Sequence, residues 1–146
     1  MYTSYGTLRY SPKLLGNRND KWWLILDADQ ELGRYYRNLL STYRYKTFSL
    51  TRPSWDQHIT IIRDEEPADE YKSHWEKYNG QKIEFQYENK LYHNLAYYWL
   101  NVKSQKLYDI RVELGLPKEP EYPFHVTIGN DLNFIDNPSS QSLEML

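Results

Sequence analysis

The chain has 146 residues, 40% of them hydrophobic and 16% aromatic, with a formal net charge of −2. That is enough apolar material for one packed domain, and too little positive charge for a broad basic face gripping a long nucleic acid. Cysteine is absent, which excludes a disulfide framework, a thiolate nucleophile and a cysteine zinc site. With no apolar signal-peptide core near Met1 and no run close to the ~20 residues of a spanning helix, a soluble cytosolic protein is expected, away from any membrane.

In chain order, Tyr5–Tyr10 alternates weakly and predicts a strand. Ser11-Pro12 and Gly16-Asn17 mark loop. The run Lys21–Leu26 (KWWLIL) has the pattern of a well-buried strand. Asp27 or Asp29 is placed to cap a helix over Gln30–Tyr43, whose stripe is Leu32, Tyr36, Leu39 and Leu40. Gln57–Arg63 (QHITIIR) is strand-like through its β-branched residues. After an acidic turn at Asp64–Asp69, a short helix over Glu70–Tyr78 is expected to stop at Asn79-Gly80. Lys82–Glu88 and Leu95–Val102 read as the two arms of a hairpin. Ser104 is a candidate cap for a helix to about Leu114, stopped by Gly115 and Pro117. Phe124–Ile128 (FHVTI) is a further strand. Beyond Asp131 no period is visible, and residues 131–146 read as a loose tail or a cover.

No low-complexity linker divides the chain, so residues 1–146 form a single domain. One pattern occurs twice: a helix, a connection and a strand bearing His-x-Thr, over Gln30–Arg63 and again over Ser104–Ile128. The charge is uneven as well. Residues 1–52 carry nine Lys/Arg against four Asp/Glu, and the remainder nine against sixteen. The basic first third suits a small anionic ligand, or is simply a solvated helix face.

The triplets are His58-Ile59-Thr60 and His125-Val126-Thr127. Strand side chains alternate, so His and Thr at i and i+2 share one face, while Ile59, Ile61, Phe124, Val126 and Ile128 point the other way. Threonine fills about one position in twenty, so finding it two places after two of the four histidines is not a casual coincidence. The pair suits breakage of an RNA-type phosphodiester. One group takes the proton of the neighbouring 2′-hydroxyl, another protonates the departing 5′-oxygen, and histidine holds either state near neutral pH. Threonine hydroxyls can donate to the non-bridging oxygens, where charge develops. The bland alternative is two ordinary sheet histidines. His74 and His93 read as surface positions. No His-x-x-x-His pair or carboxylate cluster supplies further metal ligands at a known spacing, and no glycine-rich loop is present to cradle phosphate, so no metal or cofactor is expected.

With these two motifs, the chain resembles the 2H phosphoesterase superfamily over roughly Tyr5–Asn130. The resemblance implies an α+β, two-lobed fold with antiparallel sheets and flanking helices around a pseudo-two-fold cleft. It implies a catalytic set of His58, Thr60, His125 and Thr127, working without metal. Within the superfamily the chain is similar to the short phage anti-CBASS nucleases, through Leu-Arg-Tyr-Ser-Pro-Lys (8–13), Tyr-Tyr-Trp-Leu-Asn-Val (97–102) and Ile-Arg-Val-Glu-Leu-Gly-Leu (110–116). That likeness implies cyclic di- and trinucleotide substrates in the bacterial cytosol. Tyr10 and Lys13, in the matching opening segment, become candidates for base and phosphate contact, with a structural or solvated role as the alternative for each. Two other functions compete: an RNA-end processor acting on 2′,3′-cyclic phosphates or 2′-5′ linkages, and a nucleotide sponge that binds without cutting. Base preference, oligomeric state and the division of roles between the histidines stay open.

Overall fold

A computed structural model describes residues 1–12, 21–43, 57–94, 97–130 and 141–144. The strands are β1 (Tyr2–Tyr10), β2 (Leu24–Ala28), β3 (His58–Ile62), β4 (Lys82–Asn94), β5 (Tyr97–Lys103), β6 (His125–Asn130) and β7 (Gln141–Glu144), with helices α1 (Gln30–Tyr43) and α2 (Gln105–Glu113). The sheet order is β1-β2-β3-β6-β5-β4, and β1 also pairs with β4. Six antiparallel strands therefore close into a barrel, and the fold is α+β. The strands make one closed sheet, where separate antiparallel sheets were expected.

The order of elements up to β6 is ββαβ followed by ββαβ. Each half ends on a His-x-Thr strand, and those two strands are neighbours in the sheet. The repetition visible in the sequence is thus a repetition of folding units.

Alternation explains which faces are buried. Leu8, Leu24, Leu26, Ile59, Ile61, Leu100, Val102, Val126 and Ile128 form one core cluster, joined by Leu32, Tyr36 and Leu40 of α1 and Leu107, Ile110 and Leu114 of α2. Asp29 supplies the α1 cap, its Oδ1 accepting from Glu31 N at 3.0 Å. Ser104 precedes α2, but its hydroxyl donates to Glu84 O at 2.8 Å instead of capping, which ties α2 to β4. The short helix expected at Glu70–Tyr78 is a 3₁₀ helix over Asp69–His74 followed by turns. Within the stretch read as a loose tail or a cover, Gln141–Glu144 pairs with Lys90–His93 as β7, and the rest of 131–146 lies outside the described residues.

Arg111 on α2 is fully buried. It donates two hydrogen bonds to the Glu65 carboxylate (2.8 and 2.7 Å), one to Ile61 O at the end of β3 and one to Pro117 O. A guanidinium satisfied by a fork and two carbonyls holds helix, strand and loop together. Arg111→Met leaves three acceptors without their donor and is expected to destabilise the fold by about 3 kcal/mol, the low end for a broken buried pair because Glu65 stays partly in water. A urea midpoint unchanged within error would show that the cluster contributes nothing.

Candidate functional site

The two His-x-Thr strands meet at one register pair, Ile59 opposite Val126. In an antiparallel ladder the neighbouring positions follow from that pair. His58 lies across from Thr127 and Thr60 across from His125, all four on the face opposite the core. Both strands run half-buried, buried, half-buried through the motif. The four side chains make a two-fold cluster, His and Thr alternating at its corners, with the histidines on one diagonal. Diagonal neighbours in a sheet stand about 7–8 Å apart, which leaves room for a phosphate between two imidazoles.

The cluster is held from the core side. Gln57 is buried, and its backbone carbonyl accepts from Ala28 N at 3.0 Å. Its side-chain amide donates to Thr127 O at 2.7 Å and accepts from Arg37, which also donates to Ile128 O at 2.8 Å. The residue before the first motif therefore grips the backbone of the second. Gly33 of α1 permits this, since a Cβ there would fall 2.5 Å from the Gln57 amide carbon.

The nearest neighbours differ between the halves. Asp27 is the register partner of His58, and Asn101 that of His125. Asp27 is engaged by Arg9, Nη2 to Oδ1 at 2.8 Å. His125 Nδ1 lies 2.8 Å from Pro123 O. A ring nitrogen facing a carbonyl carries the proton, so Nε2 of the neutral ring keeps its lone pair for other work. Beside His125 opens a cavity of about 480 Å³, lined by Tyr92, Tyr97, Trp99, Asn101, Tyr122 and Thr127 among others. Trp99 stands edge-on to His125 at 6.4 Å and stacks on Tyr92 at 6.2 Å. Its indole N–H is held by Asn101 Oδ1 at 3.1 Å, fixing the ring plane. Tyr97 and Tyr122 are exposed. Aromatic faces of this kind can stack on nucleobases.

His58, Thr60, His125 and Thr127 are thus brought together as expected. Tyr10 is not among them. It is buried, packs edge-on against Trp75 at 4.9 Å, and its phenol is pushed up to about 12 by burial. Its register partner is Leu24, three residues along β2 from the partner of His58, and it points to the core. The alternation of β1 explains the correction: Leu8 and Tyr10 face inward, so Arg9 between them is the residue turned toward the histidines. Lys13 lies outside the described residues. His74 is at the surface, 3.5 Å from the Glu113 carboxylate, and His93 stacks on Tyr98 in β4, which runs past the turn expected there. Trp99, Asn101 and Arg9 were missed as site residues, although each sits at an even step from a residue that the period-2 pattern turns outward. No helix among the described residues is long and apolar enough to cross a membrane. No protein-family model, curated protein or solved structure matches the chain.

Proposed function

We propose that the chain is a phosphodiesterase of the two-lobed 2H type that opens cyclic di- and trinucleotides, using His58 and His125 as its proton-transfer pair. The observation that carries this reading is the Ile59–Val126 register, which sets both motifs on one face as a two-fold cluster. Two ordinary sheet histidines would have no reason to stand on one diagonal of adjacent strands with threonines at the matched positions. The likeness to the phage anti-CBASS nucleases supports cyclic immune signals as substrate and interference with host defence as the outcome.

In this mechanism one histidine, neutral, takes the proton from a ribose 2′-hydroxyl. The 2′-oxygen bonds to phosphorus, the bond from phosphorus to the 5′-oxygen breaks, and the other histidine gives that oxygen its proton. Ring opening leaves a 2′,3′-cyclic phosphate and a 5′-hydroxyl. Thr60 and Thr127 donate to the non-bridging oxygens as charge builds there. Proton transfer is the chemistry this donor set offers. Among the described residues no group of three or more His, Cys, Asp or Glu is arranged to hold a metal ion.

The test is incubation with a cyclic dinucleotide in excess chelator, with products resolved by chromatography. A linear product ending in a 2′,3′-cyclic phosphate is expected, with a bell-shaped pH profile, because one imidazole starts neutral and the other protonated. Activity lost in chelator and restored by one divalent metal would replace this reading with a metal-assisted hydrolase. Ligand bound but unchanged would make the protein a sponge.

A further inference from the structure

The two halves share a fold but not a charge. On the His58 side, Arg9 on the outward face of β1 is already held by Asp27. On the His125 side the partner is the neutral Asn101, and two residues further along the same face of β5 comes Lys103, which is exposed. Lys103 has no ion-pair partner among the described residues. A second cavity, of about 240 Å³, opens at this point. Lys103, Lys90 and Glu88 line it, as do Tyr92, Asn101 and Pro123, which also wall the cavity beside His125. Lys90 lies over the Tyr92 ring at 5.5 Å.

Two ammonium groups against one carboxylate leave this cavity with a net positive charge. Lys103 is a diagonal neighbour of His125 across the β5–β6 ladder, about as far from it as His58 is on the other side. A lysine is a flexible point charge suited to an oxyanion whose orientation varies. The cavity is thus a cationic space that shares the walls Tyr92, Asn101 and Pro123 with the place where one phosphate would be attacked.

We infer that the cavity lined by Lys90 and Lys103 is a second phosphate subsite, which holds the non-scissile phosphate of a cyclic oligonucleotide while the histidines act on the other. This rests on the phosphodiesterase reading for its substrate class, but it is a statement about binding. It assigns Lys103 to recognition of the ring rather than to bond breaking. A ligand with a single phosphodiester makes no use of the subsite.

The test is calorimetric binding in a His58→Ala background, where ligands persist. Two ligands are compared: a 3′-5′ cyclic dinucleotide, and a dinucleoside monophosphate with one 3′-5′ linkage. Lys103→Gln is expected to weaken the cyclic dinucleotide about tenfold, the scale of one lost charge-assisted contact, and to leave the dinucleoside monophosphate within about twofold. Lys103→Arg should retain most of the affinity. Equal weakening of both ligands would assign Lys103 to the scissile phosphate and overturn the inference. So would no weakening of either, or no binding of the cyclic dinucleotide at all. Intact, Lys103-dependent binding by a wild-type protein that fails to cut would instead sink the phosphodiesterase reading and leave the subsite standing.

Discussion

His125→Ala is expected to lower turnover of a cyclic dinucleotide by 10² to 10⁴-fold, the usual contribution of a positioned general acid or base. His58→Ala should do the same. Neither change should disturb the fold. Both side chains are half-buried on the face away from the core, and the residues that pack there, Ile59 and Val126, are untouched. A loss of about 1 kcal/mol, the centre of the range for single substitutions, is expected. The double variant should be hardly slower than either single one, since the two groups act in one step and their effects do not add. Initial rates by chromatography, alongside urea unfolding of each variant, check all three points. More than a tenth of the wild-type rate left in either single variant would end the two-histidine mechanism.

A cyclic dinucleotide whose 2′-hydroxyls are replaced by hydrogen should bind and stay intact. Two imidazoles move protons well but do not generate a nucleophile to match a metal-bound hydroxide. The tethered 2′-hydroxyl supplies one, held close to phosphorus at an effective concentration that no free water reaches. Its removal is expected to lower cleavage below detection, more than 10⁴-fold, while affinity changes little. Binding of the deoxy ring, measured by calorimetry, separates loss of chemistry from loss of recognition. Efficient cleavage of that ring would show direct attack by water and would end the roles given to both histidines.

Much of this architecture was legible from the period of the sequence. Gln30–Tyr43 is the helix its stripe predicts. QHITIIR and FHVTI are strands because β-branched residues alternate with polar ones, and that same alternation sets His and Thr on one face. What failed to show depended on tertiary partners. Gln-Ser-Leu-Glu at 141–144 has no strand pattern of its own, and it becomes β7 because the second half of β4 offers an edge to pair with. Ser104 looked like a cap because helix-capping residues are recognised locally, yet the Glu84 carbonyl across the fold claims its hydroxyl. Tyr10 was chosen by likeness of its segment, whereas its parity within β1 already turned it inward and Arg9 outward. The aromatic wall of Trp99 and Tyr92 needs the register of β4 on β5, which no local pattern states.

The seam on which the two His-x-Thr motifs sit joins positions 59 and 126, and the other closure of the barrel joins Tyr2 to Tyr87. Contacts between residues so distant in the chain are entropically slow to form. Each ββαβ unit can assemble its own ladders early, but a lone unit holds one histidine and one threonine. The proposed chemistry thus depends on the two units docking and not on either one alone. The ribosome must have delivered β6, nearly the whole described chain, before the first histidine has anything to work with.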